Sequence, residues 1–187
     1  QPVREDAQPN PQSPYAVSKL AAEYYVRTIG ALWGIQTVVL RVFNAYGPGQ
    51  ILPASHPPVV PRCLQQALSG GSLIVFGGGG QTRDFVYVDD VVDALIAAAT
   101  VVDVDRRTIN VGSGSETSIN CLIDLVARVT GRELEVLHSP AESGGVSRLC
   151  ADTGLAQRLL GYVAHVDLLR GLQSTLRLDP RFSELSQ

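Results

Sequence analysis

The sequence predicts an α/β fold with parallel strand pairing. Short runs rich in β-branched residues alternate with amphipathic stretches of helical length along most of the 187 residues. Strands that alternate with helices pair in parallel. The breaks between them fall at glycine and proline, as at Gly34 and Gly70.

Each element has its own signal. Residues 1–12 are polar and proline-rich and read as a surface loop. Ser13 followed by Pro14 starts a helix, a capping residue before proline at the first position, and the pattern continues to about Leu32 and stops near Gly34. Residues 36–43 (QTVVLRVF) form a buried strand, and 44–58 a Gly/Pro loop. Residues 59–70 read as a helix closed by glycine, and 72–77 as a short strand before the four-glycine turn Gly77–Gly80. Then come a strand over 83–88 (RDFVYV) and a helix over 89–100. Asp89 and Asp90 suit that helix's first turn and cap it rather than do chemistry. Residues 108–112 form a strand, 117–131 an amphipathic helix and 133–139 a strand. Helical stretches follow near 153–160 and 167–177, and the tail beyond reads as frayed.

Composition narrows the function. The length suits one domain with a sizeable core, or one and a half small ones. A net charge of −3 argues against non-specific nucleic-acid binding. No apolar run approaches the ~20 residues of a membrane span, and no cleavable leader is seen. Cys63, Cys121 and Cys150 are odd in number and lack metal-ligand spacing, which fits a reduced, cytoplasmic setting. His56, His138 and His165 are scattered, so no metal site is expected. The chain begins with Gln and contains no Met, which reads as a piece of a longer protein.

Lys19 is the sole lysine among 15 cationic residues, and Tyr15 stands one helical turn before it. A spacing of four puts both side chains on one helix face. A free phenol is a poor base at neutral pH, and a neighbouring ammonium favours the phenolate. A tyrosine so placed takes a proton from a hydroxyl while hydride leaves the same carbon. Lysine suits the task better than arginine, being a compact charge whose donors also reach ribose hydroxyls. On spacing alone, a packed tyrosine beside a surface lysine reads equally well.

The blocks SPYAVSKLAAE, LRVFNAYGPGQ, GGGGQTRDFVYVDDVVDAL, INVGSGSETSI and LLGY occur in this order. In them the chain resembles the extended short-chain dehydrogenase/reductases, in the NAD-dependent nucleotide-sugar epimerase/dehydratase branch, most like the UDP-glucose 4-epimerases. The resemblance covers nearly all of the chain. It implies the C-terminal part of a Rossmann-type doubly wound parallel sheet plus a small α/β substrate-binding domain. Residues 1–48 and 89–112 would belong to the first, and 49–88 and 113–187 to the second.

The resemblance also implies residue roles. Tyr15 would be the acid/base, with Tyr15, Lys19 and Phe43 against NAD. Asn44 would contact the substrate, unless it is a loop asparagine capping a turn. Arg83 would meet a substrate phosphate, unless it pairs with Asp84 or Asp89. The nucleotide base would meet the backbone around Val75 and Phe76. Relatives carry R-x-G-D where this chain has Glu142 and Gly145; either the substrate differs, or Arg148 compensates as a phosphate ligand by way of a bent loop, or the site has lost its function. The glycine-rich phosphate loop and the third residue of the catalytic triad are not in these residues; the GGGG run leads into a strand rather than a helix.

The implied activity is nucleotide-sugar 4-epimerisation, with a UDP-sugar favoured and a homodimer expected of the full-length enzyme. The alternatives are a 4,6-dehydratase or decarboxylase of the same family, or a non-catalytic binding member. These residues alone are expected to be inactive.

Overall fold

The computed structural model describes residues 2–53, 57–140 and 146–183. In chain order the elements are α1 (Pro14–Trp33), β1 (Val38–Val42), β2 (Asn44–Tyr46), α2 (Val59–Ser69), β3 (Ser72–Phe76), β4 (Thr82–Arg83), β5 (Phe85–Tyr87), α3 (Val88–Thr100), β6 (Arg107–Val111), β7 (Thr117–Ser118), α4 (Ile119–Thr130), β8 (Glu135–Ser139), α5 (Gly154–Leu160), α6 (Leu168–Leu178) and α7 (Pro180–Ser183). The helix ends obey their sequence signals. Ala16 N–H donates to the Ser13 hydroxyl at 3.2 Å, Pro14 follows at the first position, and α1 closes on Gly34 at φ 65°. Ser118 caps α4 in the same way, and Gly70 and Gly131 close α2 and α4.

Pairing is parallel for β1–β6, β2–β5 and β3–β8, and antiparallel only for the short β4–β7 pair. This is the α/β fold predicted. Its apolar side chains gather into two cores. One joins Ala94 of α3, Ile109 and Val111 of β6, Ala156 and Leu160 of α5, and Tyr162. The larger joins α2, α4, β3, β5 and α6, with Leu64, Leu122 and Leu172 fully buried.

Four expectations change. The 36–43 strand is half-buried rather than buried, because β1 has one strand partner, β6, among the described residues. Residues 44–46 are a strand, not loop. Tyr46 is buried there, edge-on to Phe85 at 6.5 Å and to Tyr87 at 5.5 Å, and that aromatic packing outweighs the glycine and proline that follow. The 83–88 strand is broken at Asp84 into β4 and β5, and Val88 already belongs to α3. The tail does not fray over 180–183: Phe182 is 1% exposed inside the larger core. The N-terminal loop is likewise anchored, with Val3 bridging Ala151 in parallel and its carbonyl accepting from Asn110 Nδ2 at 2.9 Å.

Asp179 ties the C-terminal turn to the loop after β2. Its carboxylate accepts from Gly49 N–H at 2.8 Å and from Arg181 Nε at 2.9 Å, while Arg181 Nη2 donates to the Gln50 carbonyl at 2.8 Å. The hydrogen bond from Arg181, more than burial opposes it, holds the Asp179 carboxyl at about 2. A folded-state value below the unfolded value of about 3.9 stabilises the protein above that pH, and the contribution is lost as pH falls toward about 2. The contribution amounts to about 2 kcal/mol. Asp179→Asn is therefore expected to lower stability by about this amount at pH 7 and to flatten the stability curve between pH 4 and 2. Denaturant midpoints measured across that range check it.

Candidate active site

Helix α1 carries Tyr15 and Lys19 on one face, as the spacing predicts. Lys19 Nζ lies 5.5 Å from the Tyr15 ring centroid, within cation–π range. Tyr15 is 70% exposed, and no carboxylate pairs with Lys19 among the described residues. The pair is thus open to solvent, and the lysine keeps its donors available. Within these residues Tyr15 is exposed rather than packed.

Little of α1 is buried; Gly30 alone is fully so. The helix is held by Glu23, whose carboxylate accepts from Arg41 Nε and Nη2 at 3.0 Å each and from the Thr108 hydroxyl at 3.3 Å. Arg41 Nη1 reaches on to the Glu5 carbonyl at 3.0 Å. A bidentate fork thereby joins the helix of Tyr15 to β1, β6 and the N-terminal segment. The 18 positions between the two residues leave no local sequence signal for this pair.

Beyond β1 the chain turns into the second group. Phe43 is half-buried, with its N–H on the Val111 carbonyl at 2.9 Å. Asn44 starts β2 and donates its backbone N–H to the Asp84 carbonyl at 3.0 Å, so it is a strand residue and not a loop cap. Arg83 is half-buried. Its Nη1 donates to the carbonyls of Thr82 (2.6 Å) and Val146 (2.9 Å), and it pairs with neither Asp84 nor Asp89. Burial pulls its guanidinium below the ordinary value. An arginine left half-buried without a carboxylate, among the described residues, suits an anion.

Asp84 lies between these residues and is completely buried. It accepts from Ser113 N–H at 2.7 Å, the Ser113 hydroxyl at 2.6 Å, Gly114 N–H at 3.0 Å and Ala151 N–H at 2.9 Å. One signal could have found it: an Asp inside an apolar strand run is out of place unless something satisfies it. Asp90 is similarly buried. It accepts from His165 N–H at 2.9 Å and Val166 N–H at 3.2 Å, and the α3 N-terminus has no side-chain cap. The capping expected of Asp89 and Asp90 is replaced by this tertiary contact.

On β3, Val75 faces the larger core and Phe76 the outside. The Phe76 carbonyl already accepts from Gln81 Nε2 at 3.2 Å. Arg148 is brought near Arg83 through neighbouring backbone: Thr82 N–H donates to the Ser147 carbonyl at 2.9 Å. Its own guanidinium is engaged by Glu116 in a bidentate pair, with Nη2 at 2.6 Å. Nothing in the sequence flagged Glu116. Glu142 and Gly145 lie outside the described residues.

A sequence model of the NAD dependent epimerase/dehydratase family matches residues 1–112, which hold the Tyr15/Lys19 pair, Asn44 and Arg83. The chain belongs to the NAD dependent epimerase/dehydratase family. Its relatives there include a putative UDP-glucose 4-epimerase of Methanocaldococcus jannaschii, 36% identical, with 92% of this chain and 55% of that one covered. The UDP-glucose 4-epimerase of Thermotoga maritima, solved with UDP-glucose, superposes with a TM-score of 0.86 at 35% identity, over 93% of this chain and 55% of that one. The UDP-glucuronic acid 4-epimerase of Bacillus cereus, solved with UDP-glucuronic acid and NAD, gives 0.86 at 32% identity, over 94% and 55%. The chain spans about half the length of these epimerase/dehydratase relatives.

The Glu23–Arg41 fork makes a claim about α1 that can be measured. Arg41→Ala strips a mostly buried carboxylate of its partner; with Arg41 28% and Glu23 10% exposed, the expected loss is about 2–3 kcal/mol, short of the 3–5 of a fully buried pair. Hydrogen exchange should accelerate first and most in residues 14–33.

Proposed function

We propose that the protein is an NAD-dependent nucleotide-sugar 4-epimerase acting on a UDP-sugar. The observation that carries this is the sole lysine held over the ring of an exposed tyrosine, on the helix where the family resemblance puts the acid/base. Tyr15 takes the proton of the sugar's C4 hydroxyl and returns a proton to that oxygen once the 4-keto sugar has turned over. Lys19 keeps its charge beside the phenol and holds ribose hydroxyls. NAD, when bound, supplies the hydride acceptor and donor at the same carbon. The residues present fit the reacting end of that cofactor: Lys19 has no carboxylate partner among the described residues, and Phe43, just after β1, is the ring the family resemblance sets against it. Asn44 and Arg83 hold the substrate, Arg83 with the part of its fork not used on backbone. Arg148 joins them only by leaving Glu116. The backbone of Val75 and Phe76 meets the base.

The 187 residues contain no glycine-rich strand–turn–helix loop to cradle a dinucleotide pyrophosphate, so by themselves they are expected to hold NAD weakly and to turn over no sugar. The two cores support a cofactor-side body of residues 1–48 and 89–112 and a substrate-side body of 49–88 and 113–187. Helix α5 and Tyr162, which pack on β6 and go with the first, and Tyr46, which packs in the larger core and goes with the second, depart from these bounds. A homodimer is supported by the exposed apolar residues of α1, among them Tyr25, Leu32 and Trp33. No helix of the described residues is long and apolar enough to cross a membrane, and the three free cysteines support a cytoplasmic setting.

Two variants of the protein as its gene encodes it test the reading. Tyr15→Phe is expected to cut turnover by about 10²–10⁴-fold at an unchanged unfolding midpoint; near-normal turnover overturns the assignment. Arg83→Ala is expected to weaken UDP binding by about 10–100-fold in a calorimetric titration, the range of a lost charge-assisted hydrogen bond, and to lessen its salt dependence.

A further inference from the structure

Asn44, Arg83 and Arg148 sit on three separate segments, and all three segments meet at one residue, two through its backbone and one through its side chain. Asp84 follows Arg83 directly, and its carbonyl receives the Asn44 N–H. Its carboxylate takes Ala151 N–H, three residues after Arg148, and gathers Ser113 and Gly114 from the loop between β6 and β7. That loop leads to Glu116, the partner of Arg148. Every donor on the carboxylate is a backbone N–H or a hydroxyl, and no water-exposed surface remains on the residue. The surroundings are built to this one group. A Cβ on Gly112 would lie 2.6 Å from Asp84 Oδ2 and 2.7 Å from the Ala151 Cβ, so only glycine lets the strands close this far.

We infer that Asp84 is a positioning residue for substrate binding: it fixes the separation of Asn44, Arg83 and Arg148, and so sets the cradle that a nucleoside diphosphate enters. The inference rests on the nucleotide-sugar reading above. It separates two tasks. Tyr15 and Lys19 ride on α1, which is tied to β1 and β6 through Glu23 and Arg41 and has no bond to the Asp84 carboxylate. Disturbing Asp84 should therefore spoil binding while leaving proton transfer in place. Asparagine is the disturbing change. Its amide keeps one acceptor and turns the other oxygen into a donor that faces either Ser113 or the Gly114 and Ala151 N–H groups.

Asp90 supplies the matched control. It too is a buried carboxylate filled by backbone N–H donors, but those belong to His165 and Val166, which lie on none of the three segments. The experiment compares wild type, Asp84→Asn, Asp90→Asn and the milder Ser113→Ala in the protein as its gene encodes it. It reads UDP affinity by calorimetry, KM and kcat with a UDP-sugar, and the unfolding midpoint. Asp84→Asn is expected to raise both the Kd for UDP and KM about tenfold, with kcat within about threefold of wild type. Ser113→Ala, which deletes one donor, should raise them about threefold. Asp90→Asn should lower the midpoint and leave the Kd within about twofold. If Asp84→Asn fails to fold, Ser113→Ala decides. Wild-type binding of UDP with undiminished affinity in the folded variants overturns the inference alone, as does an equal loss in the Asp84 and Asp90 variants. Failure of wild type to bind UDP overturns the nucleotide-sugar reading and the inference with it.

Discussion

A carboxylate removed from water must find hydrogen-bond donors, and at Asp84 meeting that demand determines how the halves of the structure join. The residue sits where strand β4 ends and β5 begins, between Arg83 and Phe85 of the larger core. Its donors come from the far end of β6, whose Val111 belongs to the smaller core, and from the segment leading into α5. Tyr162 reinforces the same place, donating its hydroxyl to the Gly112 carbonyl at 2.9 Å. Apolar packing builds each core, but it is non-directional. The angle and spacing between the cores are set by polar groups with defined geometry.

The division of labour across the molecule follows from this. The groups proposed to recognise charge lie close to the junction, where burial makes each polar contact count. Tyr15 and Lys19, the proposed acid/base pair, lie on a helix with a single fully buried residue, tethered by one arginine fork. Such a helix is ordered by few contacts, so its protection from exchange should sit at the low end of the molecule's range.

Much of the fold could be read from the sequence because its signals are local. Ser13–Pro14 and the αL glycines Gly34, Gly70 and Gly131 mark helix ends by their own backbone chemistry. The strand at Asn44–Tyr46 escaped notice because three residues are too few for alternation, and its cause is the Tyr46 contact with Phe85 and Tyr87, some 40 positions on. Phe182 was missed for the same reason: an aromatic near a chain end reads as frayed until its core is known. Within the candidate site, Tyr15, Lys19 and Arg83 were legible from residue type and motif. Asp84, Glu23 and Glu116 were not, because each acts through partners distant in sequence, such as Ala151, Arg41 and Arg148.

The anchoring of Val3 and of the Pro180–Ser183 turn also bears on how the molecule is made. Val3 pairs with Ala151, Asn110 reaches 107 positions back to Val3, and Gly49 is held by a carboxylate 130 positions later. Contacts of such separation reward the chain only after long loops have closed, which slows folding. During synthesis the N-terminal segment and the loop after β2 must wait for the last third of these residues before their polar groups are satisfied. Tyr46 and its strand gain β5 earlier but lack Leu172 of the core until then, and this is the interval in which the nascent chain has most to gain from a chaperone.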